Sequence, residues 1–513
     1  MADEGGGGTG GASRILANAV IVWGRIAITT IATLLTTRFV LEALGVEAFG
    51  VLFATVAIPL FLSFLTGAMQ VNTQRALAMA TDLPGVRQRI FNATLGLHLG
   101  VALVLLVIGG FAGGWLLRTV MVVPEPLLAP AETVLRVSIA AAALGAFLAP
   151  YEAFRQADER FAMFAIIDVV RALALMGASL WLLSYDGERI IAYGWAMALT
   201  AGGAAVVGAL LTAKGHPELR IRPDLLVDTE IFRTQMRLFG WTLVGSASAV
   251  ARNQGMAIVV NIFFGPVGSA AYTVGNQLLS AIRQLSGAIS GVLAPRIFRI
   301  EAQGQRDRMI TNSLASCRLS SLVALTLGLP LAAEIDTVLA LWLETPPNLA
   351  GTVAILLIVG FLIDQLSIPI GVAHLAVGAI ARYQLIVGSL AIASLPIAVT
   401  MGALGAGLPT ILSCLAMMTL VVAWIRVELL EPHAPSAVRR WISAVVLPVI
   451  ATGTAPLIGA LAIIGLLPQG EGRLLLTFAV FSVLLLWSAY RFGLMSAERL
   501  ALNALLARWR ACL

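Results

Sequence analysis

The sequence predicts an all-α polytopic membrane protein of about fourteen transmembrane helices, arranged as two six-helix bundles related by pseudo-twofold symmetry plus two C-terminal helices. Three observations predict it. The first is composition: 59% of residues are hydrophobic, 12% are charged and mean hydropathy is +0.93, against about 25% charged in ordinary globular domains. Second, the chain breaks into continuous apolar segments of roughly 20 residues, the length that crosses a bilayer as a helix. Continuous runs exclude a transmembrane β-barrel, whose strands alternate. Third, basic residues collect on every second connecting segment, which fixes an orientation.

In chain order, residues 1–15 read as a disordered tail, Gly-rich and carrying Asp3 and Glu4 where a cleavable signal peptide carries positive charge. Spans follow at 16–38, 48–70, 90–114, 132–154, 161–184 and 190–213, forming an N-terminal bundle over 16–213. A basic linker, 214–237, comes next. The C-terminal bundle, 238–430, holds spans 238–264, 270–294, 310–332, 351–375, 384–402 and 407–429. Helices 13 and 14 occupy 441–466 and 473–490 within 441–490, and 491–513 reads as an amphipathic tail with Leu502, Leu505, Leu506 and Trp509 among arginines. With the N-terminus inside, 23 basic residues fall on that side, 4 on the other and 6 within spans. The positive-inside rule therefore places both termini in the cytoplasm. Topology explains the basic loops, so the net charge of +6 implies no nucleic-acid partner.

The halves show a weak internal match. Gly45-Val-Glu-Ala-Phe49-Gly-Val51 aligns with Gly268-Ser-Ala-Ala-Tyr272-Thr-Val274, each leading into a helix that ends in basic residues. On this alignment Arg25 and Arg252 differ by about one helical turn. An even number of spans per half gives repeats of the same orientation.

Charges inside spans carry the chemistry. An arginine at the bilayer centre costs about 2.5–3.5 kcal/mol on insertion scales, so it faces a bundle interior or an aqueous cavity. Arg136 and Arg318 lie near span ends and read as structural. Arg25, Arg171, Arg252 and Arg283 lie deeper. Asp168, three residues before Arg171 on the same helical face, is a candidate partner for it. Asp364 is the other deep acid, either neutralising an arginine or serving as a protonatable coupling group. Asn253, Asn276 and Gln277 crowd beside Arg252 and Arg283. Amides and guanidiniums together suit a ligand rich in hydroxyls and anionic oxygens. His98 and His374 lack ligand-spaced companions and read as interior hydrogen-bonding residues, and Cys317, Cys414 and Cys512 form no metal or disulfide framework. No metal site and no cofactor are expected. Nucleotide-binding loops, zincin patterns and nucleophile elbows are missing from the sequence, so the chain does not read as an enzyme.

Arg38-Phe-Val-Leu-Glu-Ala-Leu-Gly45-Val-Glu-Ala-Phe-Gly50, and Asn72-Thr-Gln-Arg75-Ala-Leu-Ala after the next span, resemble the opening of polysaccharide (Wzx-like, O-antigen or exopolysaccharide repeat-unit) flippases of the MOP exporter superfamily. Asn253 to Glu301, with Tyr272-Thr-Val-Gly-Asn276 and Pro295, resembles the start of their second half. The resemblance implies a MOP/MATE-like fold with a cationic cavity and alternating access. It implies translocation of a polyprenyl-diphosphate-linked oligosaccharide across the bacterial inner membrane. Membrane lipids, and polysaccharide polymerase or export proteins, are the implied partners. Fourteen spans also resemble peptidoglycan lipid precursor flippases. A MATE-type antiporter is a further alternative, against which stands Arg25 where such proteins commonly carry an acid in span 1. A major facilitator protein is another, suggested only by the partial motif Asp82-Leu-Pro-Gly85-Val-Arg87.

Overall fold

The computed structural model describes residues 8–80, 83–158, 161–378, 380–495, 498–500 and 503. Among these residues all regular structure is helical. In lipid each backbone N–H and C=O must be paired inside its own segment, and an apolar helix does this. The order is α1 Gly8–Met79, α2 Pro84–Thr119, α3 Glu125–Ala157, α4 Phe161–Leu183, α5 Arg189–Ala213, α6 Thr229–Val250, α7 Met256–Ala302 and α8 Arg306–Ala333. Then follow α9 Ile335–Trp342, α10 Ala350–Gln365, α11 Ile370–Val377, α12 Ile380–Ala403, α13 Leu408–Glu428, α14 Ala437–Trp441, α15 Leu447–Leu466 and α16 Glu471–Ser488. Helix begins at Gly8, inside the stretch expected to be an irregular tail. Most of the expected amphipathic tail (496–497, 501–502 and 504–513) lies outside the described residues, as do residues 1–7.

Among the described residues twelve helices are long and apolar enough to cross a membrane. Two of them are each two spans in one. α1 breaks at Gly45 (φ 73°, ψ 168°) and α7 at Gly265 (φ 65°, ψ −163°). Both glycines occupy a backbone region that is essentially closed to other residues, and Pro266 after the second restarts the helix, the position where proline fits best. Counting the halves separately gives the fourteen segments expected.

This geometry corrects the repeat. The second kink lies at Gly265, not Gly268, because the break needs a positive φ and the Gly-Pro pair supplies it. Arg25 is then 20 residues before its kink and Arg252 13 before its own, so the two arginines are not register partners.

The chain folds as two compact units, one running to Thr273 and including Ala391–Ala403, the other made of Val274–Leu390 and Leu404–Leu513. In the first, α3 packs on α1, α2 and α5, with Phe91, Tyr151, Phe154 and Leu219 in one buried cluster. Gly50 permits a close approach. A Cβ there would lie 1.9 Å from the carbonyl oxygen of Pro266, so the second half of α1 seats directly on the α7 turn. Asn261 fastens the same turn, accepting from the Val122 amide at 3.0 Å. The 214–228 segment docks on α2, where Asn92 Nδ2 donates to the Arg220 carbonyl at 3.1 Å and Asn92 Oδ1 accepts from the Arg222 amide at 2.7 Å.

The second unit packs α8 against α10 and α15. Its core joins Ile310, Cys317, Ile370, Val427 and Trp441. α16 is held by a buried polar network: Arg473 donates to Glu334 Oε2 through Nη2 at 2.7 Å and Nε at 3.2 Å, and the Thr477 hydroxyl donates to Oε1 at 2.8 Å. Arg318 is 1% exposed and reaches Glu498 at 2.5 Å and the Ala444 carbonyl at 2.8 Å. Its role is structural, as the sequence suggests, but through pairing rather than through reaching the membrane surface.

Candidate functional site

Each unit carries its own charged and polar positions within membrane helices. In the first, Arg25 of α1 donates from Nη1 to Asp168 Oδ2 of α4 at 2.7 Å, with about a quarter of each side chain exposed. The same guanidinium lies 5.3 Å from the Phe164 ring centre, one turn earlier on α4. This corrects the expected pairing of Asp168 with Arg171, whose residue is exposed. Spacing of three residues makes a helical pair possible, but here the carboxylate is bonded by an arginine on a different helix.

A second carboxylate stands beside this pair. Glu152 of α3 accepts from Gln156 Nε2 at 3.1 Å, is hydrogen-bonded to Gln70 of α1, and has Arg155 and Asp168 as charged neighbours. Arg155, 6% exposed, donates to the Thr212 hydroxyl of α5 at 2.8 Å. The sequence gives Glu152 and Arg155 no prominence because both fall at the end of a span, where charge is ordinary. The fold turns that end inward against α1 and α5.

Arg252, Asn253 and Gln254 occupy a single π-helical turn, Ala251–Gly255, inserted between α6 and α7. π turns interrupt α-helices most often at functional positions. Physically, the wider turn shifts the side chains that follow it to another face, and it frees backbone carbonyls from the regular ladder. The Tyr272 hydroxyl is the partner of the Asn253 carbonyl, at 3.5 Å. Gly255 closes the turn against Leu395 of α12, where a Cβ would meet a side-chain carbon at 2.7 Å. All three polar residues are half-buried, so the turn holds them at the boundary between helix packing and open space.

The second unit holds Asn276, Gln277 and Arg283 on α7, all half-buried. Asn276 and Arg283 are seven residues apart and share a face. The Arg283 guanidinium lies 5.8 Å from the Phe361 ring centre on α10, a cation–π contact.

Asp364 is 1% exposed and accepts from Arg426 Nη1 at 2.5 Å. The same nitrogen lies 3.0 Å from the Ser367 hydroxyl, and His374 Nε2 is the partner of the Arg426 carbonyl at 2.9 Å while its ring stacks on Tyr383 at 4.4 Å. Asp364 is thus paired with an arginine, as one of the two roles the sequence leaves open to it requires. Arg426, counted by sequence among the surface arginines, is 8% exposed and buried in the last turn of α13. His98 is fully buried and bonded through Nδ1 to the Ala146 carbonyl at 2.9 Å, the interior role its isolation suggests. Among the described residues no group of three or more His, Cys, Asp or Glu is placed to hold a metal ion.

The structure thus brings together Arg25 and Asp168, places Arg252 beside Asn253, and sets Asn276, Gln277 and Arg283 on one helix. The two sets lie in different units.

No family model matches the chain. It is similar to an uncharacterized membrane protein, EpsK, of Bacillus subtilis (strain 168), 24% identical over 341 residues, 64% of this chain and 65% of that protein. The chain therefore spans just under two thirds of the curated relative it matches. Among solved structures it is similar to an inward-facing multidrug resistance MATE family transporter of the MOP superfamily, with a TM-score of 0.64 at 14% identity, covering 82% of this chain and 99% of that one. It is similar to a MOP superfamily transporter from Pyrococcus furiosus described as having a binding pocket of reverse polarity, with a TM-score of 0.61 at 14% identity, covering 82% and 96%. It is also similar to the lipid II flippase MurJ in an inward closed conformation, with a TM-score of 0.70 at 11% identity, covering 93% and 98%. These likenesses show the fold: the chain is a multi-pass membrane protein with the fold of MOP superfamily transporters.

Proposed function

We propose that the protein is a flippase that moves a polyprenyl-diphosphate-linked oligosaccharide repeat unit across the bacterial inner membrane, by alternating access, for polysaccharide synthesis and export. The observation that carries this reading is the state of the intramembrane arginines. Arg252, Arg283 and Arg25 are each half-buried, set among amides or aromatic rings rather than in a closed apolar core. Guanidinium matches a diphosphate bidentately, and Asn253, Asn276 and Gln277 offer donors and acceptors to sugar hydroxyls. In this reading Arg252 in the first unit and Arg283 in the second are each candidates to meet the diphosphate or acidic sugars, and Arg25 contributes charge tempered by Asp168.

The pairing of Arg25 with Asp168 weighs against a cation antiporter, since the carboxylate facing span 1 already has its cation. The peptidoglycan precursor is the second reading, supported by the 93% coverage of this chain by the lipid II flippase against 82% by the multidrug transporter.

The test is genetic and chemical. Arg252→Ala and Arg283→Ala are expected to insert normally and to abolish polymer export, with lipid-linked repeat units accumulating. Undiminished export would remove both arginines from the function. The sugar composition of the accumulated lipid separates a polysaccharide repeat unit from a peptidoglycan precursor.

A further inference from the structure

A second cationic site stands apart from the arginines described above. Where α7 ends and α8 begins, a cavity of about 410 Å³ opens among Arg296, Arg299, Arg308, Asn312, Val292 and Pro295, with no carboxylate in its lining. We propose that this pocket binds the phosphate of an anionic lipid headgroup at the membrane face where the basic loops collect.

Nearby acids are already engaged. Glu301 takes Arg306 through both oxygens, with Nε at 2.8 and 2.9 Å, and Asp307 takes Arg440 at 3.1 Å. Arg308 donates one N–H to Gln305 at 2.7 Å, and both residues line the pocket. Three cations therefore converge without local neutralisation, the arrangement that attracts phosphate oxyanions. Phosphate could arrive free or on a lipid. Val292, 78% exposed, lines the same cavity as the three guanidiniums. Apolar surface beside cations fits the boundary between headgroups and acyl chains, where juxtamembrane basic clusters recognise anionic lipids. The geometry commits the site to the lipid.

The pocket is also separate from the face of Arg283. At about 100° per residue, Arg296 and Arg299 lie roughly 220° and 160° around α7 from Arg283, on the opposite side. The site is thus independent of the proposed flipping substrate.

The experiment uses the purified full chain in zwitterionic nanodiscs and in nanodiscs containing phosphatidylglycerol, with thermal unfolding as the readout. Phosphatidylglycerol is expected to stabilise the protein, and the triple variant Arg296→Gln, Arg299→Gln, Arg308→Gln to lower its apparent affinity on the order of 100-fold. Replacing the same three by Lys keeps the charge and is expected to retain most of the binding. A control triple, Arg220→Gln, Arg233→Gln, Arg237→Gln, removes equal charge elsewhere and is expected to leave binding intact. Two results would overturn the proposal: unchanged phosphatidylglycerol binding in the first variant, or equal stabilisation by inorganic phosphate at matched phosphate concentration.

Discussion

At the scale of single residues, the interior of this protein is governed by who neutralises whom. Removing one member of a buried ion pair costs about 3–5 kcal/mol, because the other is left charged and unsolvated. Asp364 and Arg426 fit that case. Asp364→Ala is therefore expected to destabilise the protein by roughly that amount, while Asp364→Leu combined with Arg426→Met recovers most of it. A double-mutant cycle on unfolding would reveal the coupling, and simple additivity would show that the pair is not the stabilising unit. Depth of these charges was legible in the sequence: Arg25, Asp168, Arg252, Arg283 and Asp364 all lie inside membrane helices. Partners were not. Asp168 has Arg171 three residues away in sequence yet pairs with Arg25, 143 positions away, because facing depends on how helices pack and not on spacing within one helix.

At the scale of elements, two glycines and one π turn shape the spans that carry the candidate site. The sequence reads separate spans on either side of both glycines and matches Gly45 with Gly268; the bends lie at Gly45 and Gly265, each inside one continuous run of helix. The π turn at Ala251–Gly255 had no sequence signature; an inserted residue in a helix leaves the hydropathy profile unchanged. Gly50 tests the packing of these bends. Gly50→Ala places a carbon against the Pro266 carbonyl, and overpacking of this kind costs about 1–3 kcal/mol. A lowered melting temperature for the purified variant is expected, and an unchanged one would mean that α1 and the α7 turn do not touch.

α16 gives a pH prediction. Burial alone raises the Glu334 carboxyl, but the bonds from Arg473, Thr477 and Thr337 outweigh it and hold the group below its ordinary 4.5. A depressed folded pKa contributes stability above the ordinary value and loses it as pH falls through the lower folded one. Acidification below pH 4.5 is thus expected to loosen α16, measured by hydrogen exchange of its amides. Glu334→Gln is expected to exchange faster already at neutral pH and to show a flatter profile.

For the whole molecule, fold class was the most legible property, since apolar continuity and one-sided basic charge both follow from the bilayer and need no partner to be read. The two-unit division was less so. The chain passes from one unit to the other within α7, after Thr273, and within α12, after Leu390, where nothing local in the sequence marks a boundary. The likeness to MOP superfamily transporters at 11–14% identity says that very different side chains build this scaffold. Here that scaffold holds arginines within its membrane helices, and an anionic lipid-linked cargo is the central claim. The most direct measurement reconstitutes the purified protein in liposomes carrying a polyprenyl-diphosphate-linked glycan and follows its appearance in the opposite leaflet. The wild-type chain should equilibrate the two leaflets, and the Arg252→Ala, Arg283→Ala double variant, inserted to the same level, should do so no faster than protein-free liposomes. Translocation by the variant at the wild-type rate would contradict the account.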